Sequence, residues 1–291
     1  MPSLKEVKTR INSVISTQQI TSAMKMVAAA KLRRAQDGIM QMRPYADKLN
    51  EILVNVSGGL DNDEGDSFTT TRDIDSVLIV VITSDRGLCG AFNNNICKRT
   101  ITLIDEDYRR QFDNGNVTIL TIGKRGREFF QKRGYNVIDD FTETFIGLSF
   151  EKGKKAAERA MNGFLKGEFD KIDIVYNEFK NVATQIIRAE SFLPVHPGDT
   201  SSGTHSIDYI FQPNEKVIVQ EMIPKTLKVQ FYKSILESNA SEHGARMTAM
   251  EQATENAGEL LRELKLTYNR TRQAAITKEI LEIVGGAEAL G

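Results

Sequence analysis

The chain has 291 residues, enough for one or two domains with a substantial buried core, and this excludes a disulfide-stapled miniprotein. Lys and Arg number 38 against 39 Asp and Glu, a formal charge of −1. No global basic field draws the chain onto nucleic acid or lipid, so any such partner needs a local patch.

The first segment is heptad-patterned. Steps of three and four from Leu4 meet Val7, Ile11, Val14, Gln18, Thr21, Lys25, Ala28, Leu32, Ala35, Ile39, Met42, Ala46, Leu49, Leu53 and Val56. Only Gln18, Thr21 and Lys25 break the apolar row, and a 3.5-residue repeat kept this long predicts a coiled-coil helix over 1–57, about 80 Å in length. Pro44, which lacks an amide hydrogen, predicts a local kink near residues 39–42 without ending the helix. Ser57-Gly58-Gly59 and the acidic, Thr-rich stretch that follows read as a solvated linker over 58–75.

From residue 76 the period changes. Short β-branched runs at 77–83, 117–122 and 172–179 read as strands. Helix-like stretches at 93–110, 124–133 and 149–165 alternate with them, which is the β-α-β pattern of a mostly parallel, Rossmann-like sheet in an inserted domain over 76–223. Residues 185–192 and 209–211 read as further strands. The stepping then resumes through Met247, Met250, Thr254, Ala257, Leu261, Leu264, Tyr268, Thr271 and Ala275, drifts to Ile280, Ile283 and Ala287, and traces back to Ala240, Leu236, Tyr232 and Val229. Pro224 suits a first helical position, giving a second coiled-coil helix over 224–291. Two terminal helices, each with a seam it cannot bury alone, are expected to pair as an antiparallel hairpin. The fold class is therefore α/β: a long antiparallel coiled coil of the terminal helices with an inserted Rossmann-like domain.

Candidate chemistry is sparse. Ser84-Asp85-Arg86-Gly87-Leu88-Cys89-Gly90 follows the first strand, where doubly wound folds bind dinucleotides, but Asp85 occupies the first glycine's slot of G-x-G-x-x-G and would repel a pyrophosphate. A tight turn, with Asp85 and Arg86 in a local cap or ion pair, accounts for the same residues. Gly123-Lys124-Arg125-Gly126 lacks the G-x-x-x-x-G-K-[ST] of a P-loop. His196, His205 and His243 share no spacing that suggests zinc or a triad. Cys89 and Cys97, the only cysteines, fit no metal motif and suggest a reducing compartment. No cofactor and no catalytic constellation is expected. The longest apolar run, six residues at 77–82, is far short of the roughly twenty that cross a bilayer. The charged, heptad-patterned amino terminus reads as neither a signal nor a transit peptide. The first 35 residues hold seven bases (Lys5, Lys8, Arg10, Lys25, Lys31, Arg33, Arg34) against Glu6, a patch suited to an acidic protein surface.

Two stretches carry a resemblance: ISTQQITSAMKMVAAAK at 15–31 and YNRTRQAAITKEILEIVGGA at 268–287. Both resemble the gamma-subunit family of F-type ATP synthases, as do the loop at 84–90 and ASEHGARM at 240–247, so the likeness spans the chain. The resemblance implies a non-catalytic rotor shaft, present in a single copy. Its coiled coil would turn inside a ring of alpha and beta subunits, and its inserted domain, with an epsilon-type subunit, would rest on the membrane c ring. It implies beta-subunit contacts at Met24, Lys25, Arg272, Gln273, Thr277 and Glu279, and c-ring contacts at Tyr209 and Gln212. No long cysteine-bearing insertion of the chloroplast kind is present, and the implied setting is peripheral, on the cytoplasmic face of a bacterial inner membrane. A Rossmann-type nucleotide-dependent enzyme with helical oligomerisation arms is the alternative, and it requires a dinucleotide fingerprint or a catalytic pair.

Overall fold

The computed structural model of the protein describes residues 3–57, 68–195 and 215–288. In chain order the elements are α1 (Leu4–Ser57), β1 (Val77–Ile82), α2 (Phe92–Asp107), α3 (Arg109–Asp113), β2 (Val117–Ile122), α4 (Lys124–Gln131), β3 (Asn136–Ile138), α5 (Phe150–Leu165), β4 (Lys171–Phe179), β5 (Gln185–Leu193) and α6 (Glu215–Glu288). The strand expected at 209–211 and the contacts expected at Tyr209 and Gln212 lie outside the described residues. The chain divides into two compact units, one of Met1–Ala28 with Arg246–Gly291 and one of Ala29–Ala245.

The first unit is a two-helix seam. The expected heptad positions of α1 face inward: Val7, Thr21 and Ala28 are buried, and Leu4, Ile11, Val14, Gln18 and Lys25 half-buried. Across from them Met250, Ala257 and Leu264 are buried. Thr21 Oγ1 and Thr254 Oγ1 share a hydrogen bond at 2.7 Å, and Lys25 pairs with Glu251. A Cβ on Gly258 would come within 3.2 Å of Gln18. Rising positions on α1 meet falling positions on α6, so the pair is antiparallel. The three polar residues that interrupt the apolar row thus sit against Gly258, Thr254 and Glu251.

The second unit is built on a five-stranded sheet in the order β3-β2-β1-β4-β5. β1, β2, β3 and β4 run parallel, and β5 pairs with β4 antiparallel. β1 and β2 are buried along their whole length, which is why both read as unbroken apolar or β-branched runs. Leu78, Val80, Ile82, Leu120, Ile122 and Ile172 face a core shared with Ala156, Ala160 and Phe164 of α5 and with Leu227, Phe231 and Ile235 of α6. Val77, Ile79, Val81 and Ile119 face the opposite core with Ile96 and Ile104 of α2 and Phe130 of α4.

Four expectations are corrected. α6 begins at Glu215 and carries Pro224 inside it, so the proline does not mark its start. Below Arg246 the helix is not a one-sided seam: Phe231, Ser234, Ile235, Glu237, Ser238, Ala240, Ser241 and Glu242 are all buried, because the sheet unit surrounds it. The stretch before β1 is not solvated throughout, since Phe68 is buried in the α5-side core and its carbonyl accepts from Val195 N–H at 2.9 Å. The helix expected over 93–110 breaks at Tyr108, whose φ of −128° leaves the helical region while its phenol turns inward to Asp173.

Candidate functional site

The crossover direction of the sheet reverses between β1 and β4, and the carboxyl ends of those strands are where doubly wound folds bind ligands. Here that crevice is filled by α6. Ser238 Oγ donates to the carbonyl of Ile82 at the end of β1, and Ser241 Oγ donates to that of Asn177 in β4. Gly244 sits where a Cβ would lie 3.4 Å from the Phe179 ring. Small residues at three-residue spacing let the helix approach the strand ends and satisfy carbonyls that a ligand would otherwise meet.

The two glycine-bearing loops are equally committed to the chain itself. Ser84, Asn93 and Cys89 form a closed polar set: Ser84 N–H donates to Asn93 Oδ1 at 2.9 Å, and Asn93 Nδ2 donates to Ser84 Oγ at 2.7 Å and Cys89 Sγ at 3.3 Å. At the start of α4 the amides that would cradle a phosphate are taken by Asp85 Oδ1 on Lys124, the Ser84 carbonyl on Arg125 and Thr83 Oγ1 on Gly126. Asp85 is therefore a helix cap, and burial pushes its carboxyl above the ordinary range while the Lys124 amide pulls it back. The glycines answer to packing. A Cβ on Gly123, whose φ is +97°, would sit 2.2 Å from the Thr83 carbonyl, and one on Gly126 2.9 Å from Thr83 Oγ1. Leu88 is the one non-glycine among the described residues with positive φ, 62°, and it is 65% exposed.

Sequence reasoning missed the node where α1, α6 and β4 meet. Arg43 donates to both carboxylate oxygens of Glu237, from Nε at 2.7 Å and Nη2 at 2.8 Å, and Nη2 also reaches the Phe179 carbonyl at 2.8 Å. Phe179 N–H donates back to Glu237 Oε2 at 3.0 Å. Glu237 is 1% exposed. The one usable signal was a glutamate among Ser234, Ser238 and Ser241, small residues spaced to share one side of a helix. The groove alongside, lined by Tyr176, Arg188, Glu190 and Lys233 among others, is also internally paired. Tyr176 donates to Glu190, Arg188 pairs with Glu178 and Lys233 with Asp47. Burial raises the Tyr176 phenol out of reach as an acid. Cys97, buried and pushed up to about 12 by desolvation, is equally inert. Among the described residues no group of three or more His, Cys, Asp and Glu could hold a metal, and no helix is long and apolar enough to cross a membrane.

The six described residues expected at a protein interface lie in the first unit. Met24 and Lys25 are half-buried, whereas Arg272, Gln273, Thr277 and Glu279 are exposed. Only Lys25 among them is engaged across the seam, with Glu251. The antiparallel register brings Leu4 to about the level of Thr271, so the end of α6 has no described helix beside it. There Ile276, Ile280, Leu281, Ile283 and Val284 are 47 to 71% exposed. Ile20, Met26 and Val27 on the outer side of α1 are 57 to 66% exposed. Contiguous exposed apolar side chains are the mark of an interaction surface.

Known proteins carry the same pattern. The ATP synthase family matches residues 3–290. The ATP synthase gamma chain of Cytophaga hutchinsonii is 58% identical, with 100% of this chain and 99% of that one aligned. That of Flavobacterium psychrophilum is 53% identical with the same coverage. Among solved structures, a chain of the Euglena gracilis mitochondrial ATP synthase in rotational state 3 aligns over 99% of this chain and 94% of its own, with a TM-score of 0.66 and 21% identity, a likeness of fold. With kinship at this identity over its whole length, the chain belongs to the family of ATP synthase gamma chains.

Proposed function

We propose that this chain is the shaft of a bacterial F-type ATP synthase, a single non-catalytic copy that turns inside a ring of alpha and beta subunits. Proton or sodium flow through the membrane sector would drive a c ring. The sheet unit, with an epsilon-type subunit, would take up that rotation, and the terminal helices would deliver it. Ring and shaft would meet at the cytoplasmic face of the inner membrane with no span contributed by the described helices. The observation that carries this reading is the full-length kinship to gamma chains. The uncovered apolar end of α6 supports it physically, because an isolated helix pair gains nothing by exposing Leu281 and Ile283 to water.

Rotation acts on catalysis through differential contact. A shaft angle changes a catalytic site only to the extent that it binds one conformation of that site better than another. An unequal shaft surface meets this requirement. In the proposed arrangement Met24 and Lys25 on α1, with Arg272, Gln273, Thr277 and Glu279 on α6, touch the beta subunits, and Tyr209 and Gln212 touch the c ring. The basic amino-terminal patch suits acidic loops. Among the described residues, the crevice at the strand ends and both glycine-bearing loops are occupied by the chain's own groups.

The test is reconstitution with separately purified alpha and beta subunits. One copy should enter a hexamer, and cooperative multisite ATP hydrolysis should appear only when it does. A chain that stays apart from the hexamer and binds a nicotinamide or adenine cofactor alone would overturn the reading.

A further inference from the structure

Every element of the node at Arg43 belongs to the larger unit, and what it joins is unusual. α1 and α6 both run on beyond this unit as helices, while β4 is the last of the parallel strands, beside β1 at the sheet's reversal point and paired on its other edge with antiparallel β5. Most of what holds α6 to the sheet is apolar: Leu227, Phe231 and Ile235 against Leu78, Val80 and Ile82. Apolar contact is non-directional and resists sliding or turning only through shape. Directional resistance comes from hydrogen bonds with fixed geometry. At one point a planar guanidinium on α1 grips a carboxylate on α6 with two parallel bonds, and each partner also holds the Phe179 backbone at the end of β4, one at its carbonyl and one at its amide. Asp47 with Lys233, one turn along each helix, adds a second, more exposed tie.

We infer that the Arg43–Glu237–Phe179 node fixes the angular setting of α1 and α6 against the sheet, so that Arg43 and Glu237 are positioning residues for the transfer of torque between them. This rests on the shaft reading. Without the node the helices stay buried in the sheet unit but can turn by a fraction of a residue under load, and rotation is lost as slip.

The test uses the complete membrane-bound enzyme in vesicles and reads ions pumped per ATP hydrolysed. Arg43→Met combined with Glu237→Gln leaves no buried lone charge, fills the space of the arginine stem and keeps an acceptor for the Phe179 amide. Expected is a several-fold lower pumping ratio with hydrolysis and the assembled complex retained, and a smaller loss of the same kind for Arg43→Lys, which keeps the charge but not the fork. If either variant assembles and pumps at the wild-type ratio, the inference falls. A fall in hydrolysis and pumping together, with the ratio unchanged, also overturns it, because that is what a merely structural pair produces. Should the double variant fail to assemble, the Arg43→Lys ratio decides alone. Failure of the shaft reading itself is distinguishable, since the wild-type chain would then not support pumping at all.

Discussion

At the scale of single residues, two buried sites give sharp expectations. Tyr108 donates to Asp173 at 2.5 Å beneath the sheet, both nearly inaccessible. Burial raises the Asp173 carboxyl above its ordinary value, partly offset by the tyrosine bond and by Lys171. A carboxyl whose folded pKa lies above its unfolded one contributes stability that is complete below the unfolded value, about 3.9, and is lost as pH rises through the folded value. Asp173→Asn keeps an acceptor for Tyr108 and cannot ionise. Denaturation series from pH 4 upward should therefore show wild type losing stability relative to the variant until Asp173 is ionised, then a constant offset. Curves that stay parallel across the range would show that burial does not set this carboxyl's titration. The second site is Gly123, where a side chain meets both positive φ and the Thr83 carbonyl at 2.2 Å. Gly123→Ala should cost at least about 3 kcal/mol, measured as a drop in denaturant midpoint, because backbone strain and overlap with rigid backbone add.

At the scale of elements, the polar layer of the helix pair separates two roles of one lysine. Lys25 is both paired with Glu251 and proposed as a beta-subunit contact. The pair is more than a third exposed on each side, so solvent screening leaves it worth roughly 0.5 kcal/mol. Lys25→Glu should lower the stability of the helix pair by about that amount, and adding Glu251→Lys should restore it. ATP-driven coupling in the assembled enzyme should fall in the single variant and stay low in the double one, because the charge presented to the partner is still reversed. Coupling regained in the double variant would make Lys25 an internal residue only. The sheet unit's melting transition should not move in either variant, since Lys25 lies outside it.

At the scale of the whole molecule, the uncovered end of α6 governs behaviour before assembly. Removing residues 277–291 takes away Ile280, Leu281, Ile283 and Val284, which are 50 to 71% exposed. The truncated chain should keep its thermal transitions and self-associate less, as read by light scattering, while the hydrolysis it supports in a hexamer falls. Lower thermal stability on truncation would mean that this segment packs within the chain after all.

The sequence by itself determined the elements whose burial repeats along the chain. A 3.5-residue period named both terminal helices, since a helix with one wet side must repeat its apolar residues. Unbroken apolar or β-branched runs named β1 and β2, since both faces of those strands are covered, whereas β3, three residues at the sheet edge, carries no such run and was not legible. The loop at 84–90 failed its fingerprint for a reason already visible in Asp85, a carboxylate where a phosphate would have to sit, and the loop at 123–126 failed because the P-loop spacing is missing. What only the tertiary structure decided lies where one element enters the environment of another. Glu237 and Arg43 are far apart in sequence and meet only because α6 crosses the strand ends. Residues 231–242 lose their one-sided pattern because the sheet unit surrounds them, which a two-helix period cannot express. Tyr108 breaks a helix that local propensity would have continued, because its phenol finds a buried carboxylate on β4. Periodicity reports what a segment does with water, whereas directional bonds between distant segments depend on the packing that brings them together.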